Sequence, residues 1–161
     1  MNNLFIYTDG SSDNRIKTAG WAFCLSTDKK TSIHADSGYV DGTNNVAELL
    51  GVINALHYVA GNTKAKKIIV HTDSKYVSET VYFDYYQWYN SDWKVIENGK
   101  LVDRKNKKLW IELRNQIHVM KMRGITVDII WVRGHNGNTL NELVDKLAVK
   151  ARKERLINTL Y

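Results

Sequence analysis

The chain has 161 residues, 43% of them hydrophobic, and 23 Lys and Arg against 17 Asp and Glu give a formal net charge of +6. This is enough for one domain with a real hydrophobic core, and the basic excess favours a polyanionic partner. No apolar run reaches the roughly 18 residues of a spanning helix, "MNNLFIYTD" lacks the pattern of a signal peptide, and a single cysteine, Cys24, excludes a disulfide framework and a zinc cluster. A soluble, cytoplasmic, monomeric protein without membrane attachment is expected, with one domain over 1–161.

With no proline in the chain, turns rest on Gly, Asn, Asp and Ser. "NLFIYTD" is apolar on both faces, as a central strand covered on two sides would be. "GSSDNRIKTAG" reads as a turn, "GWAFCLST" as a second strand, "DKK" as a hairpin turn and "SIHADSGYV" as a third strand, together an antiparallel meander. In "DGTNNVAELLGVINALHYVAG", Val46, Leu49, Leu50, Ile53, Leu56 and Val59 recur at helical spacing. Thr43 or Asn44 can cap that helix and Gly61 can end it.

"KKIIVHTDS" is a fourth strand, and "SKYVSETVYF" starts a helix. "DYYQWYNSDWKVIENGKLV" has no steady period, and its Asn98-Gly99 is a hairpin or turn signal. "KNKKLWIELRNQIHVMKMRG" returns to helical spacing and ends at Gly124; "ITVDIIWV" is the fifth strand. A glycine-rich loop, "RGHNGNT", leads into the closing helix "LNELVDKLAVKARKERL". The first, fourth and fifth strands are joined through helices, which implies parallel pairing by right-handed crossover. The predicted fold is α/β, a five-stranded mixed sheet with helices on both faces.

Two strands end in the same way, "IYTD" at Asp9 and "VHTD" at Asp73. Ligands of open sheets bind beyond the carboxyl ends of parallel strands, so these carboxylates converge if the strands are neighbours. Glu48 lies early in the first long helix; Asp145 lies in the last, four residues after Asn141 and on the same face. Gathered carboxylates repel one another, a cost that a hard divalent cation removes. Oxygen ligands without cysteine point to Mg²⁺ or Mn²⁺, and two such ions can clamp an in-line displacement at phosphorus. Each residue also has a plainer reading. Asp9 could begin a turn, Asp73 could cap a helix, and Glu48 and Asp145 could face solvent.

Four motifs, "YTDGS" (Tyr7–Ser11), "TNNVAE" (Thr43–Glu48), "TDSKYV" (Thr72–Val77) and "WVRGHNGNTLNELVDKLA" (Trp131–Ala148), resemble type 1 ribonuclease H in order and spacing over nearly the whole chain. The resemblance implies a ribonuclease H-like fold and Mg²⁺-dependent hydrolysis of RNA in RNA–DNA hybrids, with 5′-phosphate and 3′-hydroxyl products. It implies metal binding by Asp9, Glu48, Asp73 and Asp145 and a loop histidine at His135 that moves a proton or helps product leave. Asn44 and Asn45 match a pair set near the 2′-hydroxyls, and their amides both donate and accept. Gly10, Ser11, Thr43, Trp88 and Asn141 complete the implied substrate contacts.

Two segments depart from the family pattern. The aromatic stretch "YFDYYQWYNSDW" holds no Lys or Arg where a basic protrusion is common, the nearby cations being Lys94, Lys100, Arg104, Lys105, Lys107 and Lys108. "SSDNRIKTAG" replaces a Gly- and Pro-rich turn, and its Arg15 either touches a phosphate or only covers the surface. Two other classes compete: a binding module that kept the fold without chemistry, against which the intact carboxylate set argues, and a structure-selective DNA nuclease of the same fold, against which Asn44–Asn45 argues.

Overall fold

The apolar run near the start of the chain becomes the middle of a sheet. The computed structural model describes residues 3–13, 15–83, 93–134 and 137–160. Among them the elements run β1 (Asn3–Asp13), β2 (Thr18–Ser26), β3 (His34–Asp41), α1 (Asn44–Ala60), β4 (Lys67–Thr72), α2 (Lys75–Phe83), β5 (Lys94–Glu97), β6 (Lys100–Asp103), α3 (Lys107–Met122), β7 (Thr126–Trp131) and α4 (Thr139–Leu160). Five strands form one sheet in the order β3-β2-β1-β4-β7, antiparallel from β3 to β1 and parallel from β1 to β7. This is the predicted mixed sheet.

Strand alternation divides the apolar residues between two faces. Leu4, Ile6, Phe23, Leu25, Ile68 and Val70 pack with Leu49, Val52 and Leu56 of α1 and with Trp110, Leu113 and Met120 of α3. Phe5, Tyr7, Ala22 and Cys24 pack on the other face against Leu140, Val144 and Ala148 of α4. Each fully buried aliphatic side chain contributes about 1.5–3 kcal/mol.

Capping chemistry sets the ends of the helices. Thr43 Oγ1 accepts the Val46 N–H at 3.3 Å and opens α1. At the end of α3, Gly124 takes φ +78°, its N–H donates to the Lys121 carbonyl, and the Ile125 N–H reaches back to Met120. This is a Schellman turn, with buried Ile125 and Met120 at its two ends. Asn98 and Gly99, both at positive φ, join β5 to β6 as the hairpin turn that their sequence signals.

One expectation is corrected. Gly10–Asp13 and Thr18–Gly20 are strand, not turn: Gly10 pairs with Trp21, Ser11 with Gly20, Ser12 with Ala19 and Asp13 with Thr18. The two strands continue as a ribbon past the end of β4. Arg152 of α4 holds this ribbon through Ser11 Oγ at 3.2 Å and Asp13 at 3.6 Å. The tie to α4 overrides the local preference of Gly, Ser and Asp for a turn.

Candidate active site

The register of the parallel ladder decides whether Asp9 and Asp73 meet. β1 and β4 pair Thr8 with Thr72, so each aspartate stands one residue beyond the same rung. Both threonines are buried, which fixes the backbone that carries the carboxylates. Asp9 lies within the ladder opposite Ala22 and begins no turn. The cap of α2 is Ser74, whose Oγ accepts the Val77 N–H at 3.2 Å. The helix-cap reading of Asp73 therefore falls away.

Glu48 enters from α1, whose first turn lies directly on β1. A Cβ at Gly10 would meet the Glu48 nitrogen at 2.8 Å, so only glycine allows this approach. Glu48 is 3% exposed, which removes its solvent-facing reading. One ligand oxygen each from Asp9, Glu48 and Asp73 lie within 4.8 Å of one another. Asp145 stands with Asp9, Asp73, Asn141 and Glu142 in the wall of one cleft, close enough to Asp9 to help raise its carboxyl.

Burial and mutual repulsion act together on the cluster. Burial, followed by the charges of Glu48 and Asp73, pushes the Asp9 carboxyl up to about 10. Burial and the Asp73 charge push Glu48 up to about 8, while the Gly10 N–H and the Asp9 and Asn44 side chains draw it partway back. Among the described residues, Glu48 Oε2 is buried without a hydrogen-bond partner. An orphaned buried carboxylate oxygen beside two further carboxylates is what a divalent cation would satisfy, and an all-oxygen donor set suits a hard ion. The residues present therefore fit a divalent metal.

The other predicted residues divide. Gly10 serves the cluster from within, its N–H donating to Asp9 Oδ1 at 2.9 Å. Ser11 is the acceptor for Arg152. Arg15 is paired with Asp13, donating from its backbone and guanidinium at 2.9–3.0 Å, and it holds the Asp13 carboxyl down at about 2. Asn44 begins α1 and is exposed there, one turn before Glu48. Thr43 and Asn45 face a separate groove of about 930 Å³, shared with Tyr76, Arg104, Lys105 and Asn106. The Tyr76 hydroxyl accepts from Asn106 Nδ2 and Trp110 Nε1 and so ties α2 to α3 below that groove. His135 and Trp88 lie outside the described residues.

Sequence reasoning passed over three contributors. Glu142 lines the cleft three residues before Asp145, and its helical offset was the available signal. Asn138 caps α4 by accepting the Leu140 and Asn141 N–H groups at 2.9 and 3.0 Å, and so sets the start of the helix that carries Asp145. Gly134 lies against Asp73, where a Cβ would come within 3.0 Å of Oδ2.

Known proteins share this arrangement of sequence and fold. The RNase H family model matches residues 1–153. A ribonuclease H of Treponema denticola is 35% identical, covering 92% of this chain and 96% of its own length. One from Rhodopirellula baltica is 36% identical, with 94% and 91% covered. Among solved structures, the N-terminal RNase H domain of a Mycobacterium tuberculosis protein superimposes with a TM-score of 0.70 at 23% identity, over 99% of each chain. LC11-RNase H1, solved in complex with an RNA/DNA hybrid, gives 0.67 at 21% identity over 95% of this chain and 99% of its own. The family match spans the strand ends, both cluster-bearing helices and the loop between β7 and α4, and this chain belongs to the ribonuclease H family.

Proposed function

We propose that this enzyme hydrolyses the RNA strand of RNA–DNA hybrids with Mg²⁺, through two ions, leaving 5′-phosphate and 3′-hydroxyl ends. The observation that carries the reading is the convergence of Asp9, Glu48 and Asp73 with an unbonded Glu48 oxygen among them. Asp9, Glu48, Asp73 and Asp145 are the residues that would hold the metal. When bound, the ions supply Lewis acidity, favouring loss of a proton from the attacking water and steadying charge on the leaving oxygen. The water oxygen joins the phosphorus, the bond from phosphorus to the 3′-oxygen breaks, and that oxygen leaves as a hydroxyl.

The protein's own groups orient this exchange. The β1–β4 rung holds Asp9 and Asp73 on rigid backbone, which limits reorganisation during the reaction. Asn44 and Asn45, exposed at the start of α1, are set to exchange hydrogen bonds with 2′-hydroxyls, the group that separates RNA from DNA. The groove at Thr43, Asn45, Arg104 and Lys105 suits a phosphate of the DNA strand. The family resemblance gives His135 a role in proton movement or product release.

The test compares cleavage of a labelled RNA–DNA hybrid, duplex RNA and duplex DNA, with Mg²⁺ and with EDTA. Hybrid-only cleavage is expected, abolished by EDTA and lowered about 10²–10³-fold or more in Asp73→Asn. His135→Ala, run beside it, is expected to lose turnover while keeping hybrid affinity. Equal cleavage of duplex DNA would overturn RNA selectivity, and cleavage in EDTA would overturn the metal mechanism.

A further inference from the structure

The basic residues of α4 fall into two sets. Arg152 and Arg155 are engaged by the sheet. Arg152 donates to Ser11 and lies 3.6 Å from Asp13. Arg155 donates to both oxygens of Asp41 at 3.4 and 3.3 Å and sits 5.2 Å from the Tyr39 ring centroid. Lys146, Lys150 and Lys153 take no part in this clamp. All three are exposed, and their i, i+4, i+7 spacing places them on one face. The helical rise separates them by about 6 Å and then about 4.5 Å along the axis. Among the described residues, the one carboxylate within 4.0 Å of any of them is Glu154, 3.8 Å from Lys150. Both side chains of that pair are well exposed, so it is weak and readily exchanged for another anion.

These lysines line an open groove of about 890 Å³ with Asp145, Val149 and Glu154. Asp145 belongs to both this groove and the catalytic cleft. One surface thus continues the other, with the sign of its charge reversed: carboxylates gather at the cleft, and ammonium groups follow along the helix. A strand whose scissile phosphate lies at the cluster carries a further negative charge on every following nucleotide. Where it leaves the cleft past Asp145, the next surface it meets is this row of ammonium groups. Val149, half-buried between them, presents apolar surface to a sugar.

We infer that Lys146, Lys150 and Lys153 form a phosphate track for the RNA strand where it leaves the cleft beside Asp145. The inference rests on the proposed cleavage of hybrids and adds a contact surface to it. Lysine contacts to phosphates set affinity and register without reading sequence. They also make affinity depend on salt, by close to one released counterion for each phosphate neutralised.

The test is a triple variant, Lys146→Gln, Lys150→Gln and Lys153→Gln, set beside a control triple, Lys30→Gln, Lys64→Gln and Lys66→Gln. The control removes the same charge from exposed positions at the other end of the strands: Lys64 and Lys66 precede β4, and Lys30 lies between β2 and β3. Hybrid affinity is read by fluorescence anisotropy against NaCl concentration, and KM by cleavage in Mg²⁺. The track variant is expected to raise KM about tenfold at 0.15 M salt and to flatten the log–log salt slope by about 2–3, with the loss confined to KM. The control is expected to move KM less than about twofold. Equal KM values or equal slopes for the two triples would overturn the track. Absence of hybrid cleavage by the unsubstituted protein would overturn the functional reading instead, and anisotropy still scores the track in that case.

Discussion

Asp9 and Glu48 are carboxylates held where a carboxylate is least comfortable, 6% and 3% exposed and within reach of each other. Their folded-state values, about 10 and about 8, lie far above the ordinary carboxylate range near 4. Between about pH 4 and those raised values, the metal-free folded protein holds protons that the unfolded chain has released. Stability of the metal-free protein therefore falls as pH rises through that window. Asp9→Asn removes one source of the repulsion. In EDTA at pH 8 this variant is expected to be more stable than the parent by about 1–3 kcal/mol, or roughly 2–10 °C in Tm, and inactive on hybrid. The stability gap should close toward pH 4. Thermal unfolding across pH measures it, and a gap that does not change with pH would contradict a charge origin.

At the scale of elements, the seating of α4 matters most, because α4 brings Asp145 to the cleft. A Cβ at Gly20 would lie 1.9 Å from the Ala148 carbonyl oxygen, backbone against backbone. Gly20→Ala must push α4 away from β2, and a loss of about 3 kcal/mol is expected by urea unfolding. Cleavage activity should fall with it as Asp145 moves. Gly61→Ala is the contrasting case. Gly61 closes α1 at φ −103° with nothing within 4 Å of its added Cβ, so a change within about 1 kcal/mol is expected.

Legibility in the sequence follows the same division between local and distant causes. Helix α1, the Asn98-Gly99 hairpin and the strand identities rest on local periodicity and turn chemistry, which a sequence displays. Asp9 and Asp73 could be placed together because crossover topology and the end of a strand run are also local signals. The length of the β1–β2 ribbon could not be read, since Gly10, Ser11, Ser12 and Asp13 are turn formers made into strand by pairing and by Arg152, 141 positions away from Ser11. The same distant partner engages Ser11, whose Oγ accepts from Arg152. Arg15, open between two roles in the sequence, is engaged by Asp13 next to it.

Across the whole molecule, the site draws Asp9 from β1, Glu48 from α1 and Asp73 from the turn after β4 into one cluster, and α4 adds Asp145 and Glu142 in the cleft wall. A cation held by Asp9, Glu48 and Asp73 would link three separate segments, so metal binding should appear as global stability rather than as a local effect. Mg²⁺ at tenfold excess over its Kd is expected to add about 1.4 kcal/mol. Because protons compete for the raised carboxylates, the rise in Tm on adding Mg²⁺ should be larger at pH 8 than at pH 5.5. Calorimetry at the two pH values checks this, and an equal rise at both would argue that Asp9 and Glu48 are not the ligands.

Chain order adds a dimension of time. Synthesis proceeds from the N-terminus, so Asp9, Glu48 and Asp73 are all available before α4 has emerged. A chain at that stage carries Asp9, Glu48 and Asp73 and lacks the helix that carries Asp145. It also leaves Phe5, Tyr7, Ala22 and Cys24 bare, because α4 is what covers them. Because α4 both covers these residues and carries Asp145, its seating closes the second core and completes the acidic cleft together.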